Sequence, residues 1–175
     1  MQFPLVFCLA LGVLVLGPVG ATAQEQRGDL TKVGDWFYQQ RKDPMTDENV
    51  VTALTYGKAE DGASRTSERL LIQCQGERGL VLVLTLPENP LPAKRSQAFW
   101  MRVDEQKPFS QTWQVSRNSP GEFLIANVKE LIRITNPMFE GKRLRVRGDG
   151  GRSTYSFSLE GFPNAMANMD HCAKQ

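Results

Sequence analysis

Apolar and polar residues alternate with a period of two in short runs along most of the chain, and clusters of Gly, Pro or Asn bound the runs. Strands are predicted around Trp36 to Gln39, Val50 to Tyr56, Leu70 to Gln75, Leu80 to Leu86, Phe99 to Val103, Thr112 to Ser116, Leu144 to Arg147 and Tyr155 to Leu159. Such spacing predicts antiparallel sheets. "LVLVLTL", starting at Leu80, is apolar on both alternations, which predicts a central strand buried on both sides. "FWMRVD" sets Phe99, Met101 and Val103 on one face and Trp100, Arg102 and Asp104 on a wet one, while Trp113, alternating with Val115, is expected in the core.

The clearest unit is "RLRVRGDGGRSTYSFSLEG". Leu144 and Val146 alternate with Arg143, Arg145 and Arg147, Tyr155, Phe157 and Leu159 alternate with Thr154, Ser156 and Ser158, and Gly-Asp-Gly-Gly is turn chemistry. Pairing Arg147 with Arg152 across that turn puts Leu144 opposite Tyr155 and both apolar sets on one face.

Two stretches carry helical spacing instead. In "NVKELIRITNP" Asn127 is placed to cap, Glu130 holds the capping-box position, Val128, Leu131 and Ile132 form the apolar face, and Pro137 bars continuation. In "GFPNAMANMDHC" Pro163 suits a first turn, and Ala165, Met169 and Cys172 fall on one side.

The N-terminus changes the setting. Residues 1–23 contain no charged side chain, an aliphatic run from Leu5 to Leu16 is broken by Gly17, Pro18 and Gly20, and Ala21-Thr22-Ala23 fits the small-x-small cleavage rule. A cleaved signal peptide is expected, leaving residues 24–175 as one exported domain, periplasmic or secreted, with no membrane span after cleavage. Cleavage removes Cys8 and leaves Cys74 and Cys172, and an even pair in an exported chain reads as a disulfide. Zinc is the rival, but no CxxC or HxxxH spacing supports it. Cys74 alternates with Leu70 and Ile72, so the bridge would staple the C-terminal helix to an inward strand face. The expected fold is therefore mainly β: a single antiparallel β-sandwich-like domain with two short helices, the C-terminal one disulfide-stapled to the sheet. The 21 basic and 19 acidic residues all follow residue 23, and a net charge of +2 gives no pull toward nucleic acid.

Trp36, "DPMTD" leading into a strand, "LLIQC", "FWMRVD", Trp113 in "QTWQVS", a short helix, "RLRVR", a strand ending in "LEGF" and a terminal helix ending in Cys172 together resemble the type VI secretion-associated TagO-like periplasmic proteins. The chain is also loosely similar to invasion-associated locus B-like exported proteins, which carry extra cysteines that it lacks. Either resemblance implies an exported, disulfide-stapled β domain with no reaction attached.

Three clusters are candidates for chemistry. "DPMTDE" places Asp43, Asp47 and Glu48 close together, but its acids and its lack of glycine fail the calcium-loop spacing, so Asp43, Pro44 and Asp47 read as a structural turn, with Asp47 accepting from nearby backbone N–H groups. His171 beside Asp170 lacks a nucleophile context. Arg143, Arg145 and Arg147, joined by Arg152 and Lys142, form the densest basic patch, which reads either as a solvated strand face or as a site for an anion. Trp100 beside Arg102 reads either as an interface anchor or as a covered ring. No catalytic residue, metal or cofactor is expected. The expected function is a non-enzymatic periplasmic binding or accessory module of a cell-envelope or secretion assembly. Its partner would be an envelope or secretion-system protein or an anionic envelope component. The alternative is an envelope hydrolase or an inhibitor of one, which would need a cleft holding Asp43, Asp47 or His171.

Overall fold

The computed structural model describes residues 30–61, 68–75, 79–86, 95–117, 119, 121–148, 151, 153–167 and 169. The expected signal segment, Arg152, Asp170, His171 and Cys172 lie outside them.

Among the described residues ten strands follow in chain order: β1 (Thr31–Val33), β2 (Trp36–Lys42), β3 (Asn49–Ala59), β4 (Arg69–Gln75), β5 (Leu80–Thr85), β6 (Ser96–Val103), β7 (Phe109–Val115), β8 (Glu122–Ile125), β9 (Arg143–Gly148) and β10 (Thr154–Ser158). Between β8 and β9 lie helix α1 (Val128–Thr135) and a 3₁₀ turn (Asn136–Met138), and α2 (Phe162–Ala167) follows β10. The strands are ordered β1-β2-β3-β10-β9-β6-β7-β8-β5-β4, and β4 pairs back onto β3. The long β3 makes this possible: one edge carries β4 along Val50–Tyr56, while the other carries β2 along Asn49–Thr55 and then β10 at Gly57–Ala59. Setting aside the β1–β2 hairpin, eight strands close an antiparallel barrel.

That closure corrects the expected sandwich. Alternation reports which face of a strand is buried, not which distant strands meet, and the pairs that close the ring, β5–β8, β6–β9 and β3–β10, join segments far apart in sequence. Cys74 is fully buried on β4 and disulfide-bonded, whereas Cys172, the partner expected from the sequence, lies outside the described residues.

Paired residues share a face, so the interior can be followed from strand to strand. Thr55, Leu70, Leu84 and Phe123 form one cross-strand row, and Ala53, Ile72, Leu82 and Ile125 the next. On the far wall Val103, Leu144 and Phe157 make a third. Phe99 sits at the centre, edge-on to Phe123 at 4.7 Å and to Trp113 at 6.0 Å, and all three rings are fully buried. Thr55 is the polar member of its row and donates its hydroxyl to the Asp35 carbonyl at 2.9 Å.

Helices α1 and α2 leave the barrel at the end where β5 begins, and their buried apolar side chains join the core cluster. Asn127 caps α1, its side chain accepting from Lys129 N and Glu130 N at 3.0 and 3.3 Å. The buried face, however, is Leu131, Ile134 and Thr135; Val128 and Ile132 stand about half exposed, which corrects the predicted face. Pro137 ends the α-helix but is accommodated in the 3₁₀ turn.

Strands β1 and β8 are additional to those the sequence predicts, and two further expectations change. Arg147 pairs with Thr154 and Val146 with Tyr155, a register two residues from the expected one, and the even shift leaves every side chain on its predicted face. The second alternation of "LVLVLTL" is not fully buried: Val81 and Val83 are half-buried on the outside. There Phe37, Leu54, Leu71, Val83 and Leu124 form a half-buried apolar row across five neighbouring strands.

Candidate functional site

The outward faces of β6, β9, β10 and the end of β3 form one continuous surface. Trp100 lies opposite Arg147, which lies opposite Thr154; Arg102 lies opposite Arg145, then Ser156, then Lys58; Arg143 lies opposite Ser158. The two candidate groups that the sequence left separate, Trp100 with Arg102 and the arginines of β9, are thus cross-strand neighbours. Trp100 is 45% exposed. It lines a depression of about 200 Å³ with Arg102, Pro108, Arg145, Arg147 and Thr154. A second depression of about 720 Å³ adjoins it through Arg145 and is lined by Tyr56, Lys58, Glu60, Lys142, Arg143 and Ser158 among others.

The guanidinium groups on this surface are not equivalent. Arg145 donates from Nε to Glu60 Oε1 at 3.0 Å and from Nη1 to the Asp104 carbonyl at 3.2 Å, and Nη1 lies 3.6 Å from Glu105 Oε1. Arg102 is paired with the other oxygen of Glu105. Like charges directly opposite across β6 and β9 would repel, so Glu105 between Arg102 and Arg145 relieves that pair. Arg143, Arg147, Lys58 and Lys142 have no ion pair among the described residues.

Asp104 holds the start of β9 in place. Its carboxylate accepts from Lys142 N and Arg143 N, both at 2.9 Å, and its own N–H donates to the Arg143 carbonyl at 2.9 Å. Its φ of 46° is the left-handed conformation that Asp tolerates better than most residues. Asp104→Ala should therefore cost about 2 kcal/mol through lost charge-assisted bonds and backbone strain, while Asp104→Gly, free of the strain, should cost about 1 kcal/mol less. Urea melts measure both. An alanine variant within about 0.5 kcal/mol of the parent would refute the clamp.

The acidic stretch sits elsewhere, in the turn from β2 to β3. Asp43 Oδ1 accepts from Met45 N at 2.8 Å and Thr46 N at 3.3 Å, and Asp47 N donates to the Asp43 carbonyl at 2.9 Å. The capping acceptor is thus Asp43, while Asp47 takes a left-handed φ of 57°. Among the described residues no group of three or more His, Cys, Asp or Glu side chains could hold a metal ion, and no helix is long and apolar enough to cross a membrane. At the opposite end of the barrel, burial pushes the Tyr155 phenol above its ordinary 10.0, with Glu68 and then Asp61 adding to the rise and the Ser153 bond opposing it. Such a phenol stays protonated at neutral pH and acts as a donor rather than a base.

Sequence reasoning missed Lys58, Glu60 and Glu105 as members of the basic face, and it placed Asp104 on the wet face without its hold on the start of β9. Glu105, three residues after Arg102, carried a local signal as a turn acid beside a strand arginine. Glu60 carried none, since only barrel closure brings the end of β3 beside β9.

No protein-family model matches the chain, and no curated protein matches it. Among solved structures it is similar to the crystal structure of invasion associated protein B from Bartonella henselae, with 17% sequence identity and a TM-score of 0.59, over 83% of this chain and 97% of that one. The likeness shows a shared fold. It agrees with the looser of the two sequence resemblances and gives no support to the TagO-like one.

Proposed function

We propose that this chain is a non-enzymatic binding module of the cell envelope, exported to the periplasm or beyond, and that its β6–β9–β10 face holds an anionic envelope component. The observation that carries the reading is the convergence of Trp100, Arg143 and Arg147 on one outward surface, with the last two free of ion pairs among the described residues. Guanidinium groups suit phosphate and carboxylate, and an exposed tryptophan beside them supplies apolar contact. Envelope placement rests on the signal-like pattern of residues 1–23, and a role in a secretion assembly rests on motif resemblance alone.

Retention on a phosphate-bearing cation-exchange matrix tests the reading. The triple variant Arg143→Gln, Arg145→Gln, Arg147→Gln should elute at lower salt than the parent and bind with a flatter salt dependence, because attraction at an exposed face is screened over about 8 Å at physiological ionic strength. A melting curve accompanies the comparison, since Arg143 and Arg147, free of ion pairs among the described residues, should each shift stability by about 0.5 kcal/mol or less, whereas Arg145 gives up its bonds to Glu60 and the Asp104 carbonyl. Unchanged elution with an unchanged melt would reduce the face to a solvated surface.

A further inference from the structure

The charge layout of this face selects among anions. Arg143 and Arg147 are four residues apart on one strand, about 13 Å at roughly 3.3 Å per residue. Each lines a different depression, Arg147 the one beside Trp100 and Arg143 the larger one with Lys58 and Lys142. Between them Arg145 is already held by Glu60 and Glu105. A continuous polyanion laid across the face would press negative charge against those two carboxylates. What suits the layout is one ligand with two separated anionic groups and an uncharged middle.

The middle is polar in a specific way. Thr154, Ser156 and Ser158 point outward in a row on β10 beside β9, each hydroxyl able to donate and to accept. A spacer rich in hydroxyl groups meets such a row better than an alkyl chain would. At one end the exposed ring of Trp100 offers a flat apolar surface beside a cation, and amphipathic tryptophans of this kind favour water–lipid boundaries.

Resting on the function proposed above, we infer that the ligand is the sugar headgroup of a bisphosphorylated glycolipid, presented at a membrane surface. One phosphate meets Arg147 beside Trp100, the other meets Arg143 with Lys58 and Lys142, and the sugar rings lie over the hydroxyl row. Two phosphates on opposite ends of a disaccharide suit cations set about 13 Å apart along one strand, as Arg143 and Arg147 are.

The test is co-sedimentation of the purified protein with zwitterionic vesicles doped with a bisphosphorylated disaccharide lipid, its monophosphorylated form, or an anionic phospholipid at matched surface charge. The bisphosphorylated lipid should bind about tenfold or more tightly than either alternative, the worth of one charge-assisted contact. Arg143→Gln and Arg147→Gln, each with an unchanged melt, should separately abolish that preference, each variant holding the bisphosphorylated lipid no more tightly than the monophosphorylated one. Equal affinity for all three vesicles would overturn the two-anion inference while leaving general anion binding intact. Failure to bind any vesicle or the phosphate matrix would remove both. Binding of the free deacylated headgroup without binding of vesicles would overturn the membrane source, and preferential capture of an acidic peptide would overturn the sugar.

Discussion

Replacing Trp36 with alanine should destabilise the protein by about 3 to 5 kcal/mol, read as a drop in the urea midpoint with the slope unchanged. The indole is fully buried at the start of β2, where three elements meet. Its Nε1–H donates to the Ser158 carbonyl at the end of β10, 3.1 Å away. Its ring lies 5.0 Å from Phe162 of α2, which in turn lies 5.0 Å from Phe139 beyond α1. Removal leaves a cavity between the hairpin, the barrel and the terminal helix, and leaves a carbonyl without its indole donor. Trp36→Phe retains a ring but not the donor, so it should cost less, about 1 to 2 kcal/mol. Equal losses for the two variants would mean that the ring does not join these elements as described.

Gly161→Ala should be nearly as severe, at about 3 kcal/mol or more. Gly161 has φ +87°, and a Cβ there would come within 2.0 Å of the Val33 carbonyl oxygen, a backbone atom that cannot rotate away. The two turns, β1–β2 and β10–α2, approach so closely that Asp35 N donates to the Glu160 carbonyl at 2.9 Å. Gly79→Ala separates the causes: Gly79 has φ +74°, and a Cβ there would meet nothing within 4 Å, so alanine meets only the left-handed backbone cost of about 1 to 2 kcal/mol. Thermal melts of the pair should differ clearly. If they coincide, the contact between the two turns contributes nothing, and the hairpin is held by its ladder alone.

The two glycines also show what a sequence can and cannot convey. "LEGF" was legible as the end of a strand, because Gly after an alternating run breaks it. That this glycine faces Val33 was not legible, since β1 has three residues and no pattern of its own. The faces of β6 and β9 were readable from period two alone, and a register error of two residues did no harm because it preserves parity. The apolar face of α1 was misread because Val128 and Ile132 are apolar yet exposed, while Thr135 is buried by donating its hydroxyl to the Leu131 carbonyl at 3.1 Å. Within the candidate face, residue types and outward directions came from local pattern. Their adjacency, Trp100 to Arg147 and Glu60 to Arg145, came only from how the barrel closes.

The shared edge of β3 has a consequence for how the chain assembles. Hairpins such as β4–β5 and β6–β7 can form from neighbouring residues, whereas Tyr155 must find Ala59 across most of the sequence before the ring is complete. The entropy of that search falls due before the contact rewards it, so the last seam is expected to form late and the chain to refold on the slow, non-local timescale of β-rich proteins. Until the seam closes, the far edge of β3 and the outer edge of β10 are unpaired templates for another chain. A nascent chain that lingers there is exposed to intermolecular strand pairing in a way the finished molecule is not.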